Sequence, residues 1–176
     1  SALLCVTVDA KTGVIDQVPG SVPPLCAGGG VPFGPKEAVL GVDGSADGQF
    51  QLWDDPIAQN PQVGATETWE LWNWSADAHP IHLHLVKFKV VNRECADEAV
   101  CRQGTLGQID PPELTEAGWK DTVIAYPGEV TRVNATFDLE GLYVWHCHIV
   151  EHEDNEMMVP FCVGDMATAS GCNAVP

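Results

Sequence analysis

Short runs of β-branched and aromatic residues recur along the chain, each closed within a few positions by Gly, Pro, Asn or Asp. VTRVNATF at 130–137 and MVPFCV at 158–163 are clear examples. Apolar runs of this length between turn residues make strands rather than helices. The pattern predicts strands over 3–8, 38–42, 50–53, 67–73, 83–92, 119–125, 130–137, 141–146 and 158–163. Many short strands at this spacing predict an all-β fold, a β-sandwich. Residues 18–35, VPGSVPPLCAGGGVPFGP, carry too much Gly and Pro for a ladder and predict a long loop. Residues 94–117 form an insertion between strands, and 164–176 form a small polar tail. The one helical turn expected lies near EHEDNEM, 151–157.

At 176 residues the chain is long enough for one domain with a sizeable core, and 1–176 is read as a single domain. No apolar run reaches the length of about 18 residues needed to span a membrane as a helix. The start, SALLCVTVDAK, lacks the basic region and long apolar core of a signal peptide and enters a strand almost at once, as a mature or cleaved end does. A formal charge of −17 argues against nucleic acid or an anionic membrane as partner. Its plain meaning is a solvated, self-repelling surface.

All six histidines fall in two short segments. HPIHLH spans 79–84, and YVWHCHIVEHEDNEMM spans 143–158. Histidines placed for packing do not collect in this way, and a metal is the simplest reason. Side chains alternate faces along a strand, so Cys147 points one way and His146 and His148 the other. One strand can then serve two sites, one through sulfur and one through imidazoles. The order Cys147, His152, Met157 supplies a thiolate, an imidazole and a weak thioether, the donor set of a blue-copper site, and His79 can complete it from a neighbouring strand. Pro80 is expected to break the alternation after His79, so that His82 and His84 share a face and turn toward His146 and His148. Zinc also takes Cys and His, but the chain has no C-x2-C pair and zinc has little use for Met157. Met158 and Met166 read as packing residues.

Cys147 lies inside the histidine motif, which leaves six of the seven cysteines. Six allow fifteen pairings; local spacing favours Cys5–Cys26, Cys95–Cys101 and Cys162–Cys172. Disulfides imply an oxidising compartment, so the expected location is secreted or extracellular, whether periplasm or spore surface.

At these residues the sequence resembles the multicopper oxidases, in particular their C-terminal cupredoxin domain, a Greek-key β-sandwich. The resemblance runs over about 38–163 and is strongest to the spore-coat laccase and bilirubin oxidase branch. It rests on DPIAQNPQVGATETWELWNWSADAHPIHLHLVKFKVVNR, GWKDTVIAYPGEVTRV and GLYVWHCHIVEHEDNEMM. It implies that His79, Cys147, His152 and Met157 bind type 1 copper, that His82 binds type 2 copper, and that His84, His146 and His148 bind the type 3 pair. Glu153 falls where related laccases carry an acid that helps deliver protons to oxygen, although a solvated loop acid would look the same. The implied function is a copper-dependent oxidoreductase. Single electrons pass from a phenolic or pigment-like donor, through the type 1 copper, to a trinuclear cluster that reduces dioxygen to water. Met157 as axial ligand lowers the type 1 potential and favours easily oxidised phenols, aminophenols or bilirubin-like pigments. A Mn(II) or Cu(I) metallo-oxidase and a blue-copper electron carrier without oxygen chemistry are the alternatives.

The family's cluster takes eight histidines, four of them from two HxH motifs in an N-terminal part. This chain has no histidine beyond its six. The expectation is therefore a fragment or a subunit, completed by a second, non-identical chain or an N-terminal cupredoxin part.

Overall fold

The structure, a computed structural model, describes residues 4–8, 15–17, 31–33, 39–42 and 50–174. The chain divides into two compact units, Ser1–Glu37 and Ala38–Pro176. In the first, β1 (Leu4–Val8), β2 (Ile15–Gln17) and β3 (Val31–Phe33) form an antiparallel sheet in the order β2-β1-β3. The third strand corrects the expectation of an unbroken loop over 18–35. Pro32 pairs with Cys5, and the sheet tolerates it because β3 is an edge strand, where a missing N–H need not break a ladder.

The second unit opens with a two-stranded ribbon, β4 (Leu40–Gly41) and β5 (Phe50–Gln51). Two four-stranded antiparallel sheets follow. One contains β6 (Ala65–Asn73), β8 (Phe88–Cys95), β9 (Ile109–Asp110) and β11 (Glu129–Phe137) in the order β6-β11-β8-β9. The other contains β7 (His79–Leu83), β10 (Thr122–Ala125), β12 (Gly141–Cys147) and β13 (Met158–Val163) in the order β10-β7-β12-β13. Most successive strands cross between sheets, the exceptions being β8–β9 and β12–β13, the connectivity of a cupredoxin-like sandwich. Among the described residues a single α-helical turn, α1 (Val150–Glu153), lies where one was expected.

The core follows from period-2 alternation. Ile81 and Leu83 of β7, Phe88 and Val90 of β8, Val133, Ala135 and Phe137 of β11, and Val159, Phe161 and Val163 of β13 are buried together. Trp69 stacks on Phe137 and meets Phe161 edge-on, with ring centroids 5.5 and 5.6 Å apart. Cys147 and Met157 belong to the same cluster, so both sulfur-bearing side chains are packed into the core.

One expected strand is divided. The run 83–92 is not one strand: Leu85 adopts φ 72°, a left-handed conformation costly for a residue with a Cβ, and it separates β7 from β8. Farther along β8, Asn92 faces Arg132 while Val90 faces Val133, so Val91 is an extra, bulged residue. The bulge reverses the phase of the strand. Before it Phe88 and Val90 point inward; after it Arg93 and Cys95 do. Arg93 thereby becomes almost wholly buried and binds Glu116 through both terminal nitrogens. Glu129, also buried, receives Arg102 at 2.9 Å. These pairs and the Cys95–Cys101 disulfide fasten the insertion to the sandwich. Cys162–Cys172 fastens the tail, as expected. Cys5–Cys26 lies outside the described residues. No helix among the described residues is long and apolar enough to cross a membrane.

Candidate metal centre

The two histidine segments meet because β12 lies antiparallel to β7, with Cys147 opposite Ile81 and His146 opposite His82. Alternation along β7 is unbroken: His79, Ile81 and Leu83 are buried, while Pro80 and His82 lie toward the other face. Pro80 does not interrupt the strand, contrary to the expectation above. It pairs with Ile124, and its carbonyl accepts the N–H of His148 at 2.7 Å. The odd spacing between His79 and His82 already sends them to opposite faces.

On the inner face, Cys147 Sγ lies 3.7 Å from His79 Nδ1 and 3.7 Å from His152 Nδ1, and the two nitrogens are 3.2 Å apart. An ion in a trigonal plane, about 2.0 Å from each nitrogen and about 2.3 Å from sulfur, requires edges of about 3.5 and 3.7 Å. The donor triangle fits. His152 reaches it from α1, whose N–H groups at 152 and 153 bond back to the Ile149 carbonyl. Glu156, at φ 74°, then turns the chain inward. Met157 donates its N–H to the His152 carbonyl, and its own carbonyl accepts the N–H of Cys147. The loop from thiol to thioether is thus closed by the backbone.

Burial pushes the Cys147 thiol up, Glu153 adds to this, and a backbone hydrogen bond at Ile149 opposes it. Burial lowers His79, His152 lowers it further, and Asp77 partly compensates. A neutral imidazole is ready to ligate. A cation that binds the sulfur takes the place of that proton.

On the outer face His82, His84 and His146 bring ring nitrogens within 4.8 Å of one another. His84 Nε2 and His146 Nε2 are 3.2 Å apart. His148 stands beside them, its ring centroid 5.5 Å from that of His146 and 5.7 Å from that of His82. His82 Nδ1 is 2.9 Å from the Asp121 carbonyl, which accepts its proton and leaves Nε2 for a ligand. His84 is lowered by burial and by its histidine neighbours, His82 first. Glu153 Oε2 lies 3.4 Å from His146 Nδ1. His146 is buried, whereas His84 and His148 are exposed.

Every histidine singled out in the sequence is therefore in one group or the other. The sequence reading missed their supports: Ser75 at His79 Nε2, and Asp121 and Thr122 at His82 Nδ1. A turn signal was visible at 73–77, NWSAD, but turn residues do not reveal which ring they will touch.

A cupredoxin-like sandwich with a thiolate and two imidazoles on one face, and imidazoles alone on the other, has the donor chemistry of a copper protein. The chain belongs to the multicopper oxidase family, whose model matches residues 35–167. It is 49% identical over 118 residues to a laccase from Bacillus subtilis, covering 64% of this chain and 23% of the relative. It is 49% identical over 111 residues to a laccase from Haloferax volcanii, covering 62% of this chain and 17% of that protein. Among solved structures it resembles a multicopper oxidase from Campylobacter jejuni described as a metallo-oxidase. That match has a TM-score of 0.55 and 28% identity over 65% of this chain and 22% of the other. The chain thus spans less than a quarter of the length of these relatives.

Proposed function

We propose that the chain is the type 1 copper-bearing part of a laccase-like multicopper oxidase. In this reading His79, Cys147 and His152 would hold type 1 copper, with Met157 as a weak additional donor. His82 holds type 2 copper, and His84, His146 and His148 hold the type 3 pair. Bound copper supplies one-electron redox chemistry and the reduction of dioxygen to water. The chain's own residues set the conditions. The buried pocket around Cys147 keeps water from the thiolate. His152, only partly buried, offers a ring edge to a phenolic or pigment-like donor. Cys147 is bonded in sequence to His146 and His148, and its carbonyl lies 3.0 Å from His146 Nδ1, a short route between the two faces. Glu153, beside His146, relays protons.

One observation carries this reading: three consecutive residues, His146, Cys147 and His148, feed two donor groups on opposite faces of β12. A plain electron carrier needs only the inner group. The exposed His84 and His148 support a second chain or an N-terminal part that brings two HxH pairs over that face and buries more than about 2,000 Å² in total. The two disulfides support an extracellular or periplasmic location.

The test is copper content and oxygen uptake. The assembled protein should carry about four coppers and consume dioxygen with a phenolic donor; a carrier would hold about one and consume none. The present chain alone should take up type 1 copper with little turnover. Four coppers and full turnover in this chain alone would contradict the shared cluster. Rates with Mn(II) or Cu(I) that exceed those with phenols would instead favour a metallo-oxidase, as the Campylobacter relative is described.

A further inference from the structure

Asn73 and Ser75 form a small polar clamp behind His79. The Asn73 amide has no free capacity. Its Oδ1 accepts the backbone N–H of Ser75 at 2.9 Å and the Ser75 hydroxyl at 2.7 Å. Its Nδ2 donates to the carbonyls of Asp77 at 2.7 Å and Ala125 at 2.9 Å. A backbone N–H on one side and two carbonyls on the other fix which amide atom is oxygen. Asn73 itself is buried, 6% exposed, so the anchor is rigid.

Ser75 Oγ then faces Asn73 Oδ1, the Asp77 carbonyl at 3.0 Å and His79 Nε2 at 2.8 Å. The first two can only accept. The hydroxyl has one proton, and giving it to His79 would leave two oxygens pressed against Oγ with no hydrogen between. The proton goes to an oxygen, and His79 Nε2–H must donate to Oγ. His79 is thereby held as the tautomer whose Nδ1 lone pair faces Cys147 and His152.

We infer that Asn73 and Ser75 are positioning residues that lock the tautomer and ring orientation of His79 for metal binding. The inference about copper rests on the function proposed above; the tautomer does not. Partners of this kind behind a ligating histidine commonly change metal affinity by about 10–100-fold when removed. Because Ser75 lies in an exposed loop, Ser75→Ala leaves the sandwich core untouched.

Nitrogen NMR of the metal-free protein reads the tautomer directly. His79 should be the Nε2–H form in wild type and in Ser75→Thr, and a mixture in Ser75→Ala. In the copper-loaded, assembled protein, Ser75→Ala should lower the affinity of the inner site about 10–100-fold by chelator competition. It should also shift its reduction potential, with Ser75→Thr restoring both. An Nδ1–H tautomer in wild type, or a tautomer and affinity indifferent to Ser75→Ala, overturns the inference. If the tautomer responds as stated but no blue band forms in wild type, the clamp stands and the copper reading fails.

Discussion

His146 and Cys147 are neighbours in the chain, yet their side chains serve opposite faces of β12. Cys147 Sγ lies 3.7 Å from two imidazole nitrogens inside the sandwich, while His146 Nε2 lies 3.2 Å from His84 outside it. Only an extended backbone separates adjacent side chains in this way. A helix would leave them about 100° apart and could not divide them between two faces.

This division makes the thiol testable by itself. Cys147→Ser should abolish the strong visible absorption of the copper-loaded protein. The outer histidines should keep their metal, since none of them bonds to Sγ. Absorption and copper counting check this, and a surviving blue band would contradict the inner site.

Glu153 offers the opposite dissection. Its carboxylate lies 3.4 Å from His146 Nδ1 and does not belong to the inner donor group. Glu153→Gln should leave the blue band unchanged and slow oxygen consumption about 10²-fold or more, the usual range for a lost proton relay. An unchanged turnover rate would return Glu153 to a solvated loop acid.

The metal-free protein should lose stability on mild acidification. His79 and His84 are both held below the ordinary value of 6.5, in each case chiefly by burial. Between those lowered values and 6.5 the unfolded chain binds more protons than the folded one, so stability rises with pH across that window. It is fully present above the window and is lost as pH falls through it. Calorimetry should show Tm falling from about pH 7.5 to about pH 5.5, and falling less in His79→Gln.

Arg93 is a charge kept in the interior by its partners. Hydrogen bonding to Arg93 is the main reason Glu116 sits below the usual carboxylate range. Arg93→Ala would leave Glu116 without its bidentate partner and remove one of the two cations beside the buried Glu129. Breaking a buried pair from one side costs about 3–5 kcal/mol. Urea unfolding should show that loss, with the insertion more readily cleaved by protease.

Much of this was legible in the sequence, because it depends on local order. Strands 130–137 and 158–163 were visible as runs between turn residues, and both form as β11 and β13 with at most one residue added. The spacing of Cys147 and His152 pointed to an inner donor group, which the structure assembles with His79, and the alternation of 146–148 implied an outer one. Period 2 needs no partner strand to be read. Other features were decided only by tertiary structure. A single extra residue, Val91, reverses the phase of β8, and only pairing against β11 reveals it. That reversal carries Arg93 into the interior, where composition alone would not put it. Pro80 looked like a break, yet it sits in β7 because it lies where the β12 ladder ends, so only its carbonyl is called on, by the N–H of His148. Asn73 was read only as the end of the strand 67–73 and Ser75 was not singled out; they become supports of His79 only when Ala125 arrives from a strand 52 positions away. Donor chemistry is written in side chains and their spacing; donor orientation depends on hydrogen bonds closed between distant strands, and those exist only once the sheets have paired.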